Sequence, residues 1–190
     1  IQGEGASVGV PAYFIRLKSC NLMCGGIGGS YVRTGTAKWW CDTEAVWKQG
    51  VETPFTKVVD DWKAEGIFDR ILNHNIHVIW TGGEPTMPRS SSEIRAFTQW
   101  FIAEYGIKPY YEIETNGTIP PVFADGTSLF DMMDQINCSP KLQNSGMKAN
   151  FRIKPDVIKD IMSRPNSWLK FVVSVEDDIR EFERDFLSID

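Results

Sequence analysis

The sequence predicts an α/β fold with a parallel sheet and a site at the carboxyl ends of its strands. Three observations predict it. Five short apolar or β-branched segments alternate with segments of helical periodicity. Four unusual motifs each follow directly on a predicted strand: a cysteine loop, Gly82-Gly83-Glu84, Asn116-Gly117 and Ser139-Pro140-Lys141. Parallel α/β folds gather their sites at that end. No repeat, low-complexity tract or linker divides the 190 residues, so 1–190 reads as a single domain.

In chain order, residues 12–18 are aromatic, β-branched and partly alternating, which predicts a strand. Thr53-Pro54 reads as a helix cap and first-turn proline, followed by the apolar stripe Val58, Val59, Trp62 and Ile67, with an end near Gly66. Residues 76–81 form a short apolar run, expected as a buried strand. Ser91 and Ser92 read as caps of a helix carrying Ile94, Phe97, Phe101, Ile102 and Tyr105 and ended by Gly106. Strands are expected at 109–115, before the Asn116-Gly117 turn, and at 134–139. A helix over 155–162 has its proline in the first turn. Residues 168–175 read as the strongest strand of all, and a charged helix over 177–187 follows.

Composition narrows the function. A net charge of −5 and a pI near 5.1 argue against a nucleic-acid-binding face, where Lys and Arg would cluster. No apolar run approaches the roughly 20 residues of a membrane helix, so no membrane partner is expected. Four unevenly grouped cysteines without a secretory signal suit metal chemistry in a reducing cytoplasm better than a disulfide framework. The first residue is Ile1 and the last few lack a cap, so both ends read as trimmed.

Three cysteines lie in one stretch: Cys20-Asn-Leu-Met-Cys24, fourteen residues, then Trp39-Trp40-Cys41-Asp42-Thr43, so sixteen residues separate the second cysteine from the third. Three thiolates hold three irons of a cubane and leave one iron for a non-protein ligand. Structural zinc wants a fourth ligand, and no histidine is near. On the cysteines alone, cluster, zinc and plain buried thiols all remain open. Cys138, far along the chain, reads as a small buried residue. His74 and His77 are not spaced as a ligand pair.

The flanks add to this. Ile1-Gln2-Gly3-Glu4-Gly5 and Gly9-Val10-Pro11-Ala12-Tyr13-Phe14-Ile15-Arg16-Leu17 lead into Cys20-Asn21-Leu22, and Asp42-Thr43 follows Cys41. Together with Thr81-Gly82-Gly83-Glu84-Pro85, Glu114-Thr115-Asn116-Gly117-Thr118 and Ser139-Pro140-Lys141, the chain resembles the radical S-adenosylmethionine (SAM) superfamily, and within it the 7-carboxy-7-deazaguanine synthases. The family spacing is Cys-x3-Cys-x2-Cys, so this chain carries fourteen extra residues before its third cysteine. The stretch 25–40 is expected as a surface loop with pinned feet, Trp39 or Trp40 shielding the cluster.

The resemblance implies a partial (β/α) barrel of the radical SAM type. It implies a [4Fe–4S] cluster on Cys20, Cys24 and Cys41, SAM on the open iron and Mg2+ on Thr43. It implies SAM contacts from Gly82, Gly83, Glu84, Glu114, Asn116, Ser139, Pro140 and Lys141. The pterin substrate would meet Ile1, Gln2, Gly3, Glu4, Arg16 and Thr81, with Arg16 facing its carboxylate. The implied reaction is the ring contraction of 6-carboxy-5,6,7,8-tetrahydropterin to 7-carboxy-7-deazaguanine with loss of ammonia. No side chain is implied as a catalytic acid or base, because the radical arises on the cofactor. A flavodoxin-type or other electron donor, a homodimer and a cytoplasmic setting are likewise implied. The rival readings are a glycyl-radical activating enzyme and a non-catalytic iron–sulfur or zinc module.

Overall fold

The computed structural model describes residues 1–25 and 37–189. Its elements in order are β1 Ala12–Leu17, α1 Glu44–Lys48, α2 Phe55–Ala64, α3 Phe68–Leu72, β2 His77–Gly82, α4 Pro88–Tyr105 and β3 Tyr111–Thr115. Then come β4 Gln135–Cys138, α5 Ala149–Arg152, α6 Pro155–Met162, β5 Ser167–Leu169 and α7 Glu176–Asp185. All four strand pairings are parallel and the sheet order is β1-β2-β3-β4-β5. Each strand is thus added to the same edge, and crossovers of one hand keep the helices on one side. That is the arc of a partial β/α barrel.

Strand alternation divides the sheet chemically. Tyr13, Ile15 and Leu17, Val78 and Trp80, Tyr111 and Ile113, Ile136 and Cys138, and Leu169 point to the helices and join one apolar core. Val59 and Trp62 of α2, Ile94, Phe97 and Phe101 of α4, and Ile158 and Ile161 of α6 meet them there. The opposite, inner face carries the polar residues. Across it runs a single rung: Arg16 is in register with Thr81, Glu114 with Asn137, and Asn137 with Trp168. The middle step is closed by a hydrogen bond from Thr81 Oγ1 to Glu114 Oε2 of 2.6 Å. A second rung lies below it: Phe14, Ile79, Glu112 and Gln135 are successive register partners.

Several sequence expectations are corrected. The strand expected over 168–175 pairs only at Ser167–Leu169. β4, its one neighbour, ends at Cys138, and Lys170 N–H to Cys138 O is the last ladder bond. Beyond it Val172, Val173 and Val175 are exposed, with no strand among the described residues to pair with. The helix expected to start at Ser91 or Ser92 starts at Pro88, whose missing N–H suits a first turn. Ser91 and Ser92 instead turn their hydroxyls back onto the Met87 and Pro88 carbonyls. Thr53 caps nothing; its hydroxyl meets Val51 O, and Pro54 itself takes the N-cap position of α2. The helices α1, α3 and α5, of five, five and four residues, lack the length for a periodic signal. The expected helix over 155–162 and the Gly106 stop, at φ +73°, agree with the structure.

Candidate active site

Every motif singled out in the sequence reaches the strand-end side of the sheet. The cysteine loop follows β1 and is held by backbone. Cys41 N–H donates to Cys24 O at 3.1 Å, which brings the second and third cysteines together across the long excursion. Its feet are pinned on the turn after β4: Gly25 N–H donates to Ser145 O at 2.8 Å and Lys38 N–H to Asn144 O at 2.7 Å. Trp39 Nε1–H donates to Asn144 Oδ1 at 2.9 Å. Gly25, at φ +90°, is required there, because a Cβ would lie 2.3 Å from Trp40 Cα. Residues 26–36, where most of the expected surface loop falls, lie outside the described residues. Trp39 is half-buried, whereas Trp40 is 44% exposed.

Asn144 is itself anchored, donating to Val172 O at 2.7 Å and to Asp178 Oδ2 at 2.9 Å. The turn it belongs to is held from behind by the buried Arg152–Glu181 pair at 2.5 Å, Arg152 also donating to Lys141 O and Glu181 accepting from Gln143 N–H. Lys141 donates to Ser139 Oγ at 3.0 Å and stands 5.9 Å from the Trp39 ring. Burial pushes the Cys20 thiol up to about 11 and the Cys24 thiol up to about 12, and the Lys141 ammonium opposes the rise at both. Metal-free, these two therefore hold their protons at neutral pH. Cys138 is buried against Gly117, whose added Cβ would meet its Sγ at 2.6 Å, and burial raises its pKa further still.

Among the described residues no three His, Cys, Asp or Glu side chains gather as closely as the ligands of a single metal ion. A cubane distributes three thiolates over three irons, and one loop carries Cys20, Cys24 and Cys41. The Cys41 Sγ lies 3.3 Å from Thr43 Oγ1, and Thr43 Oγ1 donates to Gly82 O at 3.3 Å. Thr43 occupies the N-cap position of α1 but makes no side-chain cap bond. Its hydroxyl faces the end of β2.

The glycines of Gly82-Gly83-Glu84 serve the chain. A Cβ on Gly83 would fall 1.7 Å from Ser19 O, and one on Gly82 2.5 Å from Leu17 N. Gly83 N–H donates to Leu17 O and Glu84 N–H to Ser19 O, both at 2.9 Å. The Glu84 carboxylate, expected to face the cofactor, is 1% exposed. Its Oε1 accepts from Thr86 N–H, Thr86 Oγ1 and Thr115 Oγ1 at 3.0, 2.7 and 2.6 Å, and its Oε2 from Asn116 N–H at 2.7 Å. Those bonds tie the end of β2 to the end of β3. Asn116 in turn donates to Asn21 Oδ1 at 2.9 Å, and Asn21 Nδ2 reaches Thr118 Oγ1 at 2.8 Å. The Asn116-Gly117 turn is thereby fastened to the cysteine loop.

On the inner face the upper rung floors a cavity of about 310 Å³ lined by Gln2, Glu4, Glu114, Asn137, Trp168 and Lys170, among others. Gln2 is buried and donates from Nε2 to Glu114 Oε1 at 3.0 Å. Lys170, read as an odd charge in an apolar strand, pairs with Glu4. Arg16 is exposed, lies 5.5 Å from the Phe14 ring, and has no carboxylate partner among the described residues. Ile1 and Gly3 lie exposed on either side of Gln2, and neither lines the cavity. Sequence reasoning missed Asn137, Trp168 and the lower-rung Glu112 and Gln135. Period-two alternation was a signal for which face they share, but the cross-strand register was not.

A sequentially ordered parallel sheet whose first strand runs into a three-cysteine loop is consistent with the radical SAM class of enzyme. The comparisons narrow the class. A 7-carboxy-7-deazaguanine synthase of Pyrobaculum aerophilum is 33% identical over 187 residues, which is 97% of this chain and 68% of that protein. Another from Leptospira interrogans is 30% identical over 191 residues, 97% of this chain and 70% of the relative. A third, from Aquifex aeolicus, is also 30% identical but covered over only 65% of its length. The chain therefore belongs to the 7-carboxy-7-deazaguanine synthase family and spans about two thirds of these relatives' length. A crystal structure of QueE from Escherichia coli aligns with a TM-score of 0.45 and 18% identity, over 97% of this chain and 85% of that one. No family model matches.

Proposed function

We propose that this chain performs the family's reaction, converting 6-carboxy-5,6,7,8-tetrahydropterin to 7-carboxy-7-deazaguanine with loss of ammonia. The observation that carries the proposal is the placement of two things on one sheet: the three-cysteine loop after β1 and the cavity on the inner face, whose floor begins two strands over at Glu114, with Thr81 of β2 bonded to it from between. The donor set fits a [4Fe–4S] cluster held by Cys20, Cys24 and Cys41. Such a cluster with SAM would supply the radical chemistry there; the chain supplies position and exclusion of water.

Gly82, Gly83, Asn116, Ser139, Pro140 and Lys141 surround the place where SAM would lie. Glu84 contributes by fixing the Gly82-Gly83 and Asn116 turns, its own oxygens being engaged. Thr81 and Glu114 bridge the cofactor side and the cavity. Gln2 holds Glu114 in place, and Glu4 with Lys170 forms the cavity's rim. Arg16, without a carboxylate partner among the described residues, stands on the outer end of the rung and receives the substrate carboxylate. The reading extends to an external electron donor and a homodimer in the cytoplasm, both carried by the resemblance. Among the described residues no helix is long and apolar enough to cross a membrane.

The proposal is tested by incubating anaerobically reconstituted protein with SAM, a reductant and the carboxypterin, and identifying the product by mass spectrometry; absence of the deazaguanine acid would reject it. For Arg16, a bidentate carboxylate partner predicts that Arg16→Lys raises the substrate KM about tenfold or more, a loss of roughly 1.5–3 kcal/mol. Uncoupled SAM cleavage should be unchanged, and an unaltered KM would remove Arg16 from substrate binding. Magnesium at Thr43 fits an ion that takes few protein ligands and keeps its waters. Thr43→Ala is expected to flatten the dependence of turnover on added Mg2+; a dependence equal to wild type would place the ion elsewhere.

A further inference from the structure

Resting on the reading that this cavity takes the carboxypterin, we propose that Asn137 determines its specificity. Asn137, locked in orientation by Glu112 and Gln135 beneath it, donates a hydrogen bond to the ring carbonyl of a planar bicyclic lactam.

The lock follows from hydrogen-bond polarity. Glu112 is fully buried on the inner face. Its Oε1 meets His77 Nδ1 at 2.6 Å, and its Oε2 accepts from Ser7 Oγ at 2.8 Å, Asn137 Nδ2 at 2.9 Å and Gln135 Nε2 at 3.2 Å. Oε2 is the acceptor in all three of its bonds. The amide nitrogen of Asn137 must therefore face Glu112, and so must that of Gln135. Gln135 Nε2 then donates to Asn137 Oδ1 at 3.0 Å. Rotating the Asn137 amide by half a turn would set N–H against N–H at Gln135 and oxygen against oxygen at Glu112, losing both bonds. Side-chain amides are otherwise reversible in a site; this one has a fixed polarity.

What the locked side chain offers is also defined. Asn137 is 6% exposed and lines the cavity. These bonds use one N–H and one oxygen lone pair, leaving one of each. Its register neighbours frame it. Glu114, on one side, is an acceptor already engaged by Gln2 and Thr81. Trp168, on the other, is half exposed and gives the cavity a flat apolar wall, which suits a flat ring. A carbonyl is the ring group that a remaining amide N–H selects; a ring amine at the same place would meet a donor. Glu112 and Gln135 touch no ligand and act as positioning residues.

The test uses reconstituted protein with SAM bound, under anaerobic conditions. Dissociation constants are measured for the 4-oxo carboxypterin and for the same ring carrying 4-amino in place of 4-oxo. Wild type is expected to prefer the lactam by about tenfold or more, the consequence of facing donor with donor in a buried site. Asn137→Leu, similar in volume, should bring the ratio close to one. Asn137→Ala removes the same N–H without adding a charge beside Glu112, and should also bring the ratio close to one. Glu112→Gln, which frees the amide to rotate, should lower the ratio without abolishing binding. A wild-type ratio near one, or a ratio unchanged in the Asn137 variants, overturns the inference. Wild type that binds neither pteridine overturns the proposed function, and this inference with it.

Discussion

Alanine at Cys20, Cys24 or Cys41 is expected to remove the iron–sulfur absorbance, taking bound iron from about four per chain to near zero. Alanine at Cys138 is expected to leave it intact. The separation of the two outcomes rests on geometry. Cys24 and Cys41 are joined by the bond from Cys41 N–H to Cys24 O, and Cys20 and Cys24 share the field of Lys141. A cubane held at two corners exposes its irons to solvent and loses them. Cys138 instead points to the helices, packed on Gly117 in the core beside Ile158 and Ile161. Removing its sulfur leaves a small cavity worth about 1–2 kcal/mol of stability and touches no ligand. Iron content and visible absorbance after anaerobic reconstitution read the effect. Cluster loss in the Cys138 variant, or retention in any loop variant, would reassign the ligands.

Glu84→Ala is expected to be the most destabilising single change on the strand-end side. Its carboxylate is buried and accepts from both Thr86 donors, Thr115 and Asn116. Deletion leaves four buried donors without an acceptor. At about 1–3 kcal/mol for each unmade bond, and with partial relaxation, the total is about 4 kcal/mol. For a chain of this size that lowers Tm by roughly 8–15 °C. Glu84→Gln keeps the volume but sets an NH2 group against a donor, and should cost less than half as much. Because the same network ties Asn116 to Asn21, the alanine variant should also reconstitute its cluster poorly. Calorimetric melting of the metal-free variants isolates the first effect. A Tm within about 2 °C of wild type for Glu84→Ala would show that these bonds do not hold the strand ends together.

Much of this was legible in the sequence because it is local. Pro155 at a helix start, Gly106 at a helix end and the apolar run before Gly82 announce their elements within a few residues, and the cysteine and Ser-Pro-Lys motifs announce theirs. The rest depends on what lies across the sheet. Residues 168–175 have the composition of a long strand, yet a strand extends only as far as its neighbour, and β4 stops at Cys138. The Glu84 motif was visible, but the direction of its carboxylate depends on Thr115 and Asn116, which arrive some thirty residues later in the chain. Asn137 and Trp168 carry no motif. Only the register that sets them beside Glu114 makes them part of the cavity.

The account's central claim is that one strand-end rim holds a radical-generating centre and a pterin pocket in working contact. The most direct measurement is the fate of deuterium placed on the reduced ring of the carboxypterin during turnover with unlabelled SAM. The account predicts deuterium in the 5′-deoxyadenosine released, formed together with 7-carboxy-7-deazaguanine. Release of 5′-deoxyadenosine that carries no deuterium, at a rate indifferent to the pterin, would contradict it.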